Sequence, residues 1–127
     1  MLRLTISSLS IWMNDTRVDP VLVDMVEDFL LAQGKRPMME CLSVQTSEYV
    51  NLAQVCDRIG YDGLVEGRIA SKWLEIVRPM LKEAGLRLSP QRWGREFVAK
   101  LLNITHKQWI FRNSKKHFRG EGGLTAT

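Results

Sequence analysis

Along the chain, apolar residues recur every three or four positions, and capping residues divide the pattern into segments. The clearest segment is 20–33, where Leu22, Met25, Val26, Phe29 and Leu30 form one helical stripe. Asp19 stands at its N-cap position, Pro20 takes the first helical position, and Gly34 follows the last periodic residue. The opposite face carries Asp24, Glu27 and Asp28 and is expected to stay in water. Residues 2–13 carry two patterns at once: Leu2, Leu4 and Ile6 alternate as in a strand, whereas Ile6, Leu9, Trp12 and Met13 step as in a helix. A helix is expected, because no second strand is present to satisfy the backbone groups of a lone one.

Residues 35–46 read as a loop, and Ser47 to Ile59 as a third helix with Leu52, Val55, Cys56 and Ile59 on one side and Gly60 as terminator. Asp62 then caps a fourth helix running to about Ala84, with Val65, Ile69, Trp73, Ile76, Val77, Met80 and Leu81 at helical spacing and Gly85 stopping it. Pro79 lies within this pattern and is expected to kink or end the helix near Val77. Ser89 and Pro90 open a last segment that nothing breaks before Gly120. As a single helix it would be about 45 Å long, against a diameter of roughly 36 Å for a domain of this size, so it bends or overhangs.

From Trp93 to Trp109 the large apolar residues Trp93, Phe97, Val98, Leu101, Leu102, Ile104 and Trp109 fall on one half of the helical wheel. In the final turns Arg112, Lys115, Lys116 and Arg119 occupy that same half, so the core contact is expected to stop near Phe111. The fold class expected is all-α: a single-domain bundle of four to five helices over 1–119, with a long basic C-terminal helix and a flexible tail at 120–127. Its core is expected around Phe29, Leu52, Val65, Ile69, Trp73, Val77, Trp93, Phe97, Leu101 and Trp109.

Composition bounds the function. The 127 residues carry 18 Lys/Arg, 14 Asp/Glu and a formal charge of +4, but the two halves have opposite sign. Residues 1–66 contain five Lys/Arg against ten Asp/Glu, a net of −5; residues 67–127 contain thirteen against four, a net of +9. Such asymmetry fits a polyanion partner for the basic half, or docking of one half on the other or on a sister chain. The uncharged stretch Leu4 to Met13 is far shorter than a membrane span, and its three serines argue against a secretory signal. Two cysteines make no disulfide scaffold, and an intracellular protein, nuclear or cytoplasmic, is expected.

The segment 92–119 combines eight Lys/Arg and one acid, Glu96, with aromatic and amide side chains. Cations neutralise phosphates and flat side chains stack on bases, so Lys107, Arg112, Lys115, Lys116 and Arg119 are the candidate contacts to DNA or RNA. The same cations could instead form a solvated face or meet the acids at 24–28. His106, Trp109, Asn113 and His117 share one helical face, either as a small binding row or as a buried polar seam bonding backbone groups of the 35–46 loop. No metal or cofactor is expected, since Cys41 and Cys56 are 15 apart and His106 and His117 are 11 apart, without the tight pairs of a zinc site. Paired carboxylates such as Asp62 and Glu66 fit local helix pairing, and no catalytic residue is assigned.

The string Asp57-Arg58-Ile59-Gly60-Tyr61, then Leu64, Glu66-Gly67-Arg68-Ile69 and Trp73, recurs in company with Trp93, Leu101-Leu102, Thr105-His106, Gln108-Trp109-Ile110-Phe111-Arg112-Asn113 and His117. This pattern resembles a segment of uncharacterised eukaryotic proteins that look like parts of mobile-element or reverse-transcriptase-associated reading frames. The likeness covers 57–117, with a looser echo at Pro37-Met38-Met39. The family carries no assigned activity, so the resemblance implies no catalytic residue. It implies an association with nucleic acid and descent from a longer protein. The resulting expectation is a non-enzymatic helical module that binds nucleic acid through its basic last helix; the alternative is a protein-interaction or structural helical domain, alone or as a homo-oligomer.

Overall fold

The computed structural model describes the backbone of residues 2–119 and the side chains of residues 3–104. All regular structure among them is helical: α1 (Leu2–Asp15), α2 (Pro20–Ala32), α3 (Met38–Cys41), α4 (Ser47–Val65), α5 (Lys72–Glu83) and α6 (Pro90–Arg119). The helix α6 packs against α1, α4 and α5, while α2 joins α1 on one side and α3 and α4 on the other. The buried side chains form one core that includes Leu22, Phe29, Leu52, Trp73, Val77, Trp93, Phe97 and Leu101. No described helix is long and apolar enough to cross a membrane.

The N-terminal segment is a helix, and it buries Ile6, Leu9 and Met13 while leaving Leu4 and Ile11 exposed. Its end is closed without glycine. Val18 N–H donates to the Met13 carbonyl at 3.1 Å and Arg17 N–H to Asn14 at 3.0 Å, the paired bonds of a Schellman cap. Arg17 sits at the left-handed position of that cap, φ 66°. In α2 the side chain of Asp19 accepts from Val21 N–H at 3.0 Å, as its N-cap position predicts.

Three elements differ from the sequence expectation. The segment 35–46 is not all loop: Met38–Cys41 form one helical turn, held because Asp57 of α4 caps it, with Oδ1 accepting from Met38 N–H at 2.6 Å and Oδ2 from Met39 N–H at 3.2 Å. Met38 and Cys41 are thereby buried. Gly60 does interrupt α4, with φ 82° and ψ 168° in its middle, but the chain resumes helically only as far as Val65.

The long fourth helix expected from Asp62 to Ala84 is therefore two pieces. Gly67 takes φ +90°, and Arg68 N–H donates to the Gly63 carbonyl at 2.9 Å while Gly67 N–H donates to Leu64 at 2.9 Å, closing α4 before α5 begins. The apolar period runs through the break because Val65, Ala70 and Trp73 all turn into the same core. Pro79, expected to kink or end the helix near Val77, does not end it: the proline is accommodated inside α5, which continues to Glu83. It lies on the exposed side, as does Glu75, whose carbonyl loses its helical donor.

Arg17 adopts a backbone conformation that only glycine takes without steric cost. Arg17→Gly should raise stability by about 1 kcal/mol or less, the relief of left-handed strain being partly offset by the greater freedom of the unfolded chain. Urea unfolding followed by circular dichroism checks this; a loss of stability would mean that the Arg17 side chain contributes more than its backbone costs.

Candidate functional site

The base of α6 is fixed by aromatic packing. Ser89 caps it, its Oγ accepting from Arg92 N–H at 3.1 Å. Trp93 and Phe97 are fully buried, their rings 4.9 Å apart, with Trp73 of α5 at 5.9 and 5.2 Å from them and Trp12 of α1 at 5.3 and 6.2 Å. The Trp93 indole N–H donates to Thr16 Oγ1 at 3.0 Å, and that hydroxyl donates in turn toward the Trp12 and Met13 carbonyls, each at 3.1 Å. Because Thr16 meets Trp93 while Trp12 meets Phe97, α1 and α6 run antiparallel.

The described cations of α6 are not equivalent. Arg92 Nε lies 3.2 Å from Glu96 Oε2, and Glu96 Oε1 accepts from the Trp12 indole N–H at 3.2 Å. Lys100 Nζ stands 5.7 Å from the centroid of the Trp12 ring. Arg95 is exposed and enters no ion pair among the described residues. Those ion pairs, Arg36–Glu40, Glu66–Arg68, Lys72–Glu75 and Arg92–Glu96, all join residues within four positions of each other. None joins Asp24, Glu27 or Asp28 to α6.

Lys107, Arg112, Lys115, Lys116 and Arg119 all fall within α6, which continues for fifteen residues past Ile104, about 22 Å of helix. Their side chains, and those of His106, Trp109, Asn113 and His117, lie outside the described ones, as does the tail 120–127. In helical register residues 112, 115, 116 and 119 share one face, whereas 107 stands apart. The turn at 38–41, one partner proposed for the polar row, draws its bonds from α4 and from itself: Asp57 takes its first N–H groups, and the Arg36 guanidinium donates to the Glu40 carbonyl at 2.9 Å.

The apolar stripe of α6 is narrower than the wheel suggested. Trp93, Phe97, Leu101 and Ile104 are buried, but Val98 is half-buried and Leu102 is 45% exposed. The loop after α4 covers this flank only in part. Ile69, expected in the core, is likewise half-buried there.

Elsewhere, a cavity of about 620 Å³ lies between the end of α2 and the Gly60 kink, lined by polar groups including Lys35, Asp57 and Asp62 beside Tyr61. Asp57 is already spent on capping α3. Among the described residues no three His, Cys, Asp or Glu side chains converge as a metal site would need. Cys41 and Cys56 are free and buried. Burial pushes the Cys56 thiol from 9.0 up to about 12, a rise only partly countered by the neighbouring Trp73 indole, and burial also raises Cys41. The Trp73 N–H makes no well-formed hydrogen bond, so the sulfur is its polar neighbour in the core. No known protein family, curated protein or solved structure matches this chain.

Thr16 is the contributor at the base of α6 that the sequence does not reveal. A threonine just past the end of a helix carries no signal of a partner 77 residues away. Thr16→Val should cost about 1–3 kcal/mol by leaving the Trp93 N–H unpaired in the core. Urea unfolding monitored by tryptophan fluorescence measures it, and an unchanged midpoint would show that Trp93 is held by packing alone.

The buried thiol makes stability pH-dependent in a stated direction. In the unfolded chain Cys56 ionises near 9.0, so its contribution is complete below that pH and declines as pH rises toward about 12. Urea midpoints measured between about pH 7 and pH 11 should fall more steeply for the wild type than for Cys56→Ala. Parallel slopes would mean that Cys56 ionises as freely in the folded protein as in the unfolded one.

Proposed function

We propose that the chain is a non-enzymatic helical module that binds DNA or RNA through the basic end of α6, mainly by phosphate neutralisation and with little sequence preference. The observation that carries this reading is the continuation of α6 as helix to Arg119, through a segment where Lys and Arg replace the apolar residues of its buried stripe. A helix holds residues 112, 115, 116 and 119 in one row without further ordering cost, and a row of cations is what a phosphate backbone requires. Lys107 supplies a further cation nearer the core. The mobile-element ancestry expected from the likeness over 57–117, and an intracellular location, belong to the same reading.

Fluorescence anisotropy of short labelled single- and double-stranded DNA and RNA tests the reading. Four duplex phosphate contacts should give log K against log[salt] a slope near about −3.6, from roughly 0.9 per phosphate. A variant carrying Lys107→Glu, Arg112→Glu, Lys115→Glu and Lys116→Glu should lose this binding while keeping its helical circular dichroism. Absence of binding at about 50 mM salt, where such contacts are strong, would overturn the proposal.

A further inference from the structure

Four exposed cations stand apart from the end of α6. Arg78 and Lys82 on α5, Arg87 in the loop between α5 and α6, and Arg95 on α6 are all exposed, and none enters an ion pair among the described residues. Over residues 67–104 the chain carries eight Lys/Arg against three Asp/Glu, and two of those acids, Glu75 and Glu96, are already paired with Lys72 and Arg92. The third, Glu83, lines a cavity with Arg17 and Asp19, on the edge of α5 turned toward the α1–α2 connection. The four cations are thus left with their charge uncompensated by any ion pair among the described residues.

Packing gathers them on one shoulder. Leu74 fills the space above Gly94, its Cδ2 only 2.8 Å from where a Cβ would stand, so α5 lies directly beside α6. Arg78 and Lys82 succeed Leu74 at four-residue steps toward the loop that carries Arg87, and Arg95 adjoins Gly94 on the α6 side of the seam. The shoulder offers cations to phosphates and no exposed ring to a base. Unpaired bases stack on aromatic faces, but Trp73, Trp93 and Phe97 of these two helices are fully buried, and the exposed large apolar side chains among the described residues are all aliphatic. Along α6, Lys116 lies 21 positions beyond Arg95, about 32 Å away and within about 60° around the helix axis. A duplex, with a persistence length of about 150 base pairs, is stiff over such a length and meets both groups of cations without losing conformational freedom. A single strand would have to be held extended over the same span.

Resting on the reading of the α6 end as a phosphate-binding segment, we infer that Arg78, Lys82, Arg87 and Arg95 form a second phosphate-contacting surface, and that the partner is a double-stranded nucleic acid lying across both groups of cations. The shoulder holds the duplex by charge alone, so it adds affinity and salt dependence without adding sequence preference.

Anisotropy titrations of the full chain with a labelled duplex of about 20 base pairs, and with one of its strands, between about 50 and 200 mM salt test it. With four contacts at each group, the wild-type slope of log K against log[salt] on the duplex should be near about −7, at roughly 0.9 per phosphate. A variant carrying Arg78→Gln, Lys82→Gln, Arg87→Gln and Arg95→Gln should return the slope to about −3.6, with unchanged helical circular dichroism. The wild type should also bind the duplex more tightly than the single strand. A slope that the four Gln replacements leave unchanged overturns the inference while leaving the α6 end as the binding segment, and so does a single strand bound as tightly as the duplex. Absence of duplex binding by the wild type at about 50 mM salt removes both readings together.

Discussion

The packing of Trp93 fixes where everything else stands. Its ring is enclosed by Trp12, Trp73 and Phe97, and its one polar atom is satisfied by Thr16. Aromatic side chains bring the largest apolar area that a core position can bury, but an indole also brings an N–H that must find an acceptor. Thr16 supplies one from the end of α1, and with the Trp12–Glu96 bond it ties the first and last helices of the bundle together. Trp12 donates its own N–H to Glu96, whereas the Trp73 N–H makes no well-formed hydrogen bond, so of the three indoles in the cluster two are satisfied and one is not. The two satisfied indoles orient α6 against α1; Trp73 contributes area.

From that point the antiparallel register of α1 and α6 follows, and so does the division of labour along α6. Arg92 and Lys100 are drawn toward Glu96 and the Trp12 ring respectively, so they serve the junction with α1. Arg95 faces the other flank and does not. The chain's opposite half-charges do not produce an internal electrostatic lock among the described residues, where the ion pairs are short-range. Exposed pairs of that kind contribute little to stability, which leaves burial as the force that holds the bundle.

Helix boundaries were legible in the sequence where a cap and a change of pattern coincided. Asp19-Pro20, Ser89-Pro90 and Gly85 mark real ends because the apolar period stops beside them. Gly67 is hidden in the sequence because it interrupts the backbone while the period of buried residues carries on through Ala70 and Trp73. The pattern reports which residues reach the core, not whether the chain between them is one helix. The turn at Met38 was invisible for another reason: its stability comes from Asp57, nineteen positions away. Arg17 gave no hint either, since an arginine at a left-handed cap looks like any surface residue. On α6 the wheel located the face that meets the core but not its width, because that depends on how far the neighbouring α4–α5 loop extends over Val98 and Leu102.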